Sequence, residues 1–102
     1  MHRLVVTLAV VLALGITTAR AEDAKTLFAQ KCAMCHGPDG KSSTAMGKKL
    51  QATDLTTLKA KAEADIANAI SSGKPPKMAA YKDKLSGEQI QALAKFVKNG
   101  LK

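Results

Sequence analysis

An all-α domain is predicted for this chain, and three observations predict it. Apolar residues recur at helical rather than strand spacing, recognisable helix start and stop signals bracket them, and no stretch alternates convincingly between apolar and polar. With 102 residues there is room for one small domain. There is neither an internal repeat nor a domain linker.

The chain begins with Met1-His2-Arg3, runs through an apolar stretch from Leu4 to Ile16, and reaches Ala19-Arg20-Ala21. A basic start, an uncharged apolar run and small residues at −3 and −1 are the parts of a secretory signal peptide. The run is shorter than the roughly 20 residues of a spanning helix. The expectation is a signal peptide over residues 1–21, cleaved after Ala21, and a mature exported domain over residues 22–102. An uncleaved anchor is the competing reading.

Within the mature part, Ala24, Leu27, Phe28 and Cys32 lie at i, i+3, i+4 and i+8, one face of a helix from about Asp23 to Met34. Gly37-Pro38-Asp39-Gly40 and the following Lys41-Ser42-Ser43-Thr44 mark a turn-rich loop. A short helical segment is expected over Asp54 to Lys61, with Leu55 and Leu58 on one side. From Ala62 the pattern Ile66, Ala67, Ile70 continues as a helix that stops at Gly73, a suitable residue just past a helix end. Pro75-Pro76 then forces an extended path to Met78. The last helix has the clearest signals: Ser86 and Gln89 form an S-x-x-Q capping box, and Ile90, Leu93, Ala94, Val97 and Leu101 trace an apolar face.

Removing 21 residues from 102 leaves 81, close to the size at which side chains alone give only a few kcal/mol of core. The aromatic content is two Phe, one Tyr and no Trp. Something should supplement that core. The mature part carries 14 lysines, no arginine and 8 acidic residues, a formal +6. A lysine surface attracts nucleic acid, anionic membrane or an acidic protein. Export and the scarcity of stacking aromatics argue against nucleic acid, so an acidic protein patch is the expected partner, with a merely solvated surface as the plainer reading.

Residues 32–36 read Cys-Ala-Met-Cys-His, the C-x-x-C-H pattern of c-type haem attachment. Two thiols a helical turn apart can each add to a vinyl group on neighbouring pyrroles, and the adjacent imidazole can then bind iron. If such a group lost on the order of 400 Å² of apolar surface to the protein, at about 25 cal/mol per Å² it would contribute roughly 10 kcal/mol. That is comparable with the net stability of a whole domain. Other uses of these residues remain. A Cys32–Cys35 disulfide is geometrically allowed, but so short a loop stabilises little. A redox dithiol wants a strand–helix context that is missing. Zinc wants four protein ligands, and the other histidine, His2, lies in the presequence.

With these residues in view, the chain resembles the class I cytochromes c, especially small single-haem bacterial and algal members. The likeness covers nearly all of the mature part. It rests on Cys32-Ala-Met-Cys35-His36, on Gly73-Lys-Pro-Pro-Lys-Met78-Ala-Ala-Tyr81, and on the tail from Leu85 to Val97. The resemblance implies helices wrapped around one covalently attached haem c. The N- and C-terminal helices would cross through Ala24 and Phe28 against Leu93 and Phe96. It implies His36 as the proximal ligand to iron and a methionine on the far side. Of the mature methionines, Met34 lies inside the attachment loop on the histidine side and Met46 follows the cysteines closely. Met78 stands where the family places its ligand. Two departures are plain: Met78 is followed by Ala79-Ala80 rather than proline, and no tryptophan is available for a haem propionate. Lys48 and Lys49 are candidates for that task.

A filled coordination sphere implies a one-electron carrier, cycling between ferric and ferrous iron, and not an enzyme. It would be monomeric, steered by lysines such as Lys31, Lys41, Lys74, Lys77 and Lys82 to acidic redox proteins. No stable membrane insertion is expected after cleavage. The exported compartment would be a periplasm, or alternatively a thylakoid lumen. The rivals are a subunit held in a membrane complex and a haem sensor or weak peroxidase with an open sixth site.

Overall fold

The computed structural model describes residues 16–102, with side chains from Asp23 onward. Residues 1–15 of the expected signal peptide lie outside the described residues. The expected cleavage point after Ala21 falls within a described stretch of helical backbone. The elements are α1 (Ile16–Lys31), α2 (Ala33–His36), α3 (Ala45–Leu50), a 3₁₀ helix (Leu55–Ala60), α4 (Glu63–Ser72) and α5 (Gly87–Lys98). Among the described residues there is no strand, only an isolated antiparallel bridge between Lys74 and Met78. No helix among them is long and apolar enough to cross a membrane.

The terminal helices pair as their apolar faces dictate. Ala24 and Phe28 of α1 are buried with Leu93, Ala94, Phe96 and Val97 of α5, and Leu55, Ile66, Ala67, Leu85 and Ile90 complete the core. The small Ala24 and Ala94, both at most 1% exposed, let the helices approach closely. The capping box of α5 is present in full. Gln89 N–H donates to Ser86 Oγ at 3.1 Å, and Ser86 N–H donates to Gln89 Oε1 at 2.8 Å.

Two features differ from the sequence expectation and a third specifies it. The first helix does not run unbroken to Met34: it ends at Lys31, Cys32 forms a turn, and α2 resumes through His36. Cys32 N–H still donates to the Phe28 carbonyl and His36 N–H to the Cys32 carbonyl, so the offset is slight. The short helical segment expected over Asp54 to Lys61 is present and takes the 3₁₀ form. Asp54 caps it through Thr56 N–H at 2.9 Å, and Thr57 Oγ1 donates back to the Asp54 carbonyl at 2.7 Å. Leu101 is not on the helical face of α5. It follows the helix end at φ 65° and folds back, its N–H donating to the Phe96 carbonyl at 2.8 Å. There it closes over Gly40, whose absent side chain makes room: a Cβ would stand 2.8 Å from Leu101 Cδ1.

Candidate haem site

Two cavities of about 180 and 420 Å³ share Cys32, His36, Thr53, Lys74 and Met78 in their walls, so they adjoin each other. Cys35, Leu50 and Ala79 line the smaller part. The larger part reaches the core at Phe28, Leu55, Ile66, Leu93 and Val97. The thiols and imidazole of the C-x-x-C-H turn therefore share a largely apolar opening with Met78. Met34 and Met46, at 75% and 40% exposed, line neither part.

The attachment turn is fixed from behind by α3. Thr44 caps α3 by accepting from Gly47 N–H at 2.9 Å, while its own hydroxyl donates to the carbonyls of Met34 at 2.8 Å and Cys35 at 2.9 Å. Gly47 permits that approach, since a Cβ there would fall 2.2 Å from the Cys35 carbonyl oxygen. Gly37 closes the turn at φ 76°. The result presents Cys32, Cys35 and His36 from a segment held by four backbone hydrogen bonds, from Cys32 N–H to Gly37 N–H, rather than from a loose loop.

His36 Nδ1 lies 2.9 Å from the Thr53 carbonyl oxygen. A carbonyl only accepts, so Nδ1 carries the proton and Nε2 holds the free lone pair. An imidazole so oriented is prepared to bind a metal through Nε2. Ser42 Oγ also donates to the Thr53 carbonyl. Both cysteines are free thiols. Burial, and then the neighbouring Cys35, push the Cys32 thiol up to about 11. Among the described residues no three His, Cys, Asp or Glu side chains converge to hold a bare metal ion, which fits poorly with zinc.

The opposite wall is a strap from α4 to α5. Gly73 ends α4 at φ 67°, and paired bonds of 2.9 Å between Lys74 and Met78 close a tight loop. The Pro75-Pro76 bond within it is cis. Tyr81 N–H donates to the Ile70 carbonyl at 3.1 Å, and the Tyr81 hydroxyl donates to the Lys31 carbonyl at 3.2 Å. Burial, followed by the two cysteines, raises the Tyr81 phenol above its ordinary range. Lys77 Nζ donates to Gln51 Oε1 at 2.8 Å. The strap is thus tied to the C-terminus of α1 and to the end of α3.

The donor set fits a flat iron porphyrin: two thiols one turn apart, an imidazole with its lone pair free, a thioether in the shared wall, and apolar side chains between. Lys48 and Lys49 are exposed on α3 and line neither cavity, whereas Lys31, Lys61, Lys74 and Lys77 do. Thr53, Ser42 and Tyr81 were not singled out from the sequence, because their roles rest on hydrogen bonds between residues 11, 17 and 50 positions apart.

Residues 19–97 match the family model described as Cytochrome C oxidase, cbb3-type, subunit III. The Cbb3-type cytochrome c oxidase subunit CcoP of Azospirillum brasilense is 33% identical over 84 residues, 79% of this chain and 28% of that protein. The subunit FixP of Azorhizobium caulinodans is 35% identical over 80 residues, 78% of this chain and 27% of that protein. The chain therefore spans under a third of the length of these curated relatives. The solved structure of the KustC0563 c-type cytochrome superposes with a TM-score of 0.70 at 34% identity, covering 78% of this chain and 99% of the other.

Proposed function

The chain belongs to the cbb3-type subunit III family of cytochrome c domains, and from that premise we propose a single-haem electron carrier whose haem c is attached through Cys32 and Cys35, with iron held by His36 and Met78. Haem c, when bound, supplies a one-electron ferric–ferrous couple. The observation that carries the reading is the shared wall: His36 and Met78, 42 residues apart in sequence, line the same two cavities with Cys32, and Cys35 joins them in the smaller one.

The residues divide the work. Cys32 and Cys35 anchor the macrocycle so that a small domain retains it. Thr53 orients His36 through its carbonyl. Gly73 and the Lys74–Met78 bridge hold the thioether in place. Phe28, Leu93 and Val97 give the larger cavity an apolar wall. Were haem iron held by both His36 and Met78, no open position would remain for a substrate, and outer-sphere electron exchange would be favoured.

Lys31, Lys74 and Lys77 border the smaller cavity, and these lysines support steering towards acidic redox partners. Cleavage after Ala21 would yield an exported, monomeric carrier, periplasmic or, alternatively, in a thylakoid lumen. A second reading, attachment to a larger oxidase-like assembly, is favoured by the names of the relatives. Recovery only in detergent extracts, with Met1 retained, would select it.

The deciding experiment is the oxidised and reduced spectrum of the matured protein beside Met78→Ala. The expected result is a c-type reduced spectrum and an iron–sulfur charge-transfer band that the substitution abolishes. A colourless protein at its bare polypeptide mass would overturn the proposal.

A further inference from the structure

Ser42 is the single buried polar side chain among the described residues. It adopts φ 60°, where residues other than glycine are uncommon. Its N–H donates to the His36 carbonyl at 2.8 Å, folding the segment back over the attachment turn. Its hydroxyl then donates to the Thr53 carbonyl oxygen, the same oxygen that receives His36 Nδ1–H. Ser42 Oγ lies 3.3 Å from that ring nitrogen. One acceptor thus serves two donors, which touch each other.

Resting on the reading of His36 as the proximal ligand, we propose that Ser42 is a positioning residue that raises the reduction potential by sharing the Thr53 carbonyl with His36 Nδ1–H. A strong bond from Nδ1–H makes an imidazole more anionic and a better donor to iron. That favours the ferric state. A second donor on the same oxygen draws on its lone-pair density and weakens the first bond. The ring therefore stays closer to neutral imidazole, and the ferrous state gains. Removing the hydroxyl strands no buried partner, because the Thr53 carbonyl keeps its bond from His36.

Two substitutions separate this role from a purely structural one. Ser42→Ala removes the hydroxyl and keeps a side chain in the left-handed region. Ser42→Gly removes the hydroxyl and relieves the backbone. The haem-bearing protein should show a lower potential in both. The expected size is roughly a three- to tenfold rise in the ferric-to-ferrous ratio at fixed ambient potential, tenfold being about 59 mV for one electron. In the reduced state, the His36 Nδ1–H proton resonance should move downfield in both. Their stabilities should differ, the glycine variant being the more stable. Unchanged potentials, a rise in both, or opposite shifts that follow stability would overturn the inference while the spectrum still showed attached haem. A wild-type chain without haem bound at His36 would instead overturn the reading beneath it.

Discussion

The rings of Phe28 and Phe96 meet with centroids 5.6 Å apart and planes inclined at 58°, joining α1 to α5 one turn before the first cysteine. That tilted contact is among the favoured aromatic geometries. Both rings are nearly inaccessible, at 4% and 7% exposed. Phe96→Ala should cost about 3–5 kcal/mol in denaturant unfolding of the haem-bearing protein. A cycle with Phe28→Ala should return a coupling of about 0.5–1.5 kcal/mol. Additive losses would mean that the rings act only as separate core filling.

The terminal helices, the C-x-x-C-H turn and the Met78 strap were legible because each has a local signal: periodicity, a capping box, a fixed spacing, a glycine stop. The helix Ala45–Leu50 was not. Its central Gly47 and paired lysines resemble a loop, and the glycine is there for a different reason, the close approach of the Cys35 carbonyl. The Ser42–Thr53–His36 cluster was equally hidden. Nothing periodic in a sequence announces that a carbonyl 17 residues away will receive a ring nitrogen.

Gly47→Ala tests that close approach. A methyl group 2.2 Å from the Cys35 carbonyl oxygen and 2.7 Å from the Ser42 carbonyl oxygen meets backbone on two sides. Neither can rotate away, so α3 must retreat from the attachment turn, a strain of about 1–3 kcal/mol. The yield of haem-bearing protein should fall, measured as absorbance per unit polypeptide. Thr44→Ala, which removes the bonds to the Met34 and Cys35 carbonyls, should lower it in the same direction.

The Cys32 thiol provides a pH signature in the haem-free chain. Burial, then the Cys35 charge, raises its folded value from 9.0 to about 11. Between those values the folded chain holds a proton that the unfolded chain has released. Its contribution to stability is whole below about pH 9 and is lost as pH rises towards 11. The denaturation midpoint of the haem-free chain should therefore fall across that interval, and Cys32→Ala should remove this part of the fall. A slope identical in the two chains would place the thiol in water.

Gly73 and Gly87 make opposite predictions for the same substitution. Gly73 sits at φ 67°, and a Cβ there would lie 2.6 Å from the Ala79 carbonyl carbon and oxygen and from Ala80 N. These are backbone atoms of the strap that carries Met78, so Gly73→Ala must displace the strap, on top of about 1–3 kcal/mol for a φ, ψ region open essentially only to glycine. The thioether should be lost from iron in part of the population, seen as a weaker iron–sulfur band and easier carbon monoxide binding to the reduced protein. Gly87, by contrast, opens α5 with no atom within 4 Å of a Cβ. Gly87→Ala should leave the spectrum unchanged and raise stability by up to about 1 kcal/mol, because alanine is the better helix former. If both variants kept the full iron–sulfur band, Gly73 would have no part in holding Met78, and the tight Lys74–Met78 loop would be positioned by its own bonds alone.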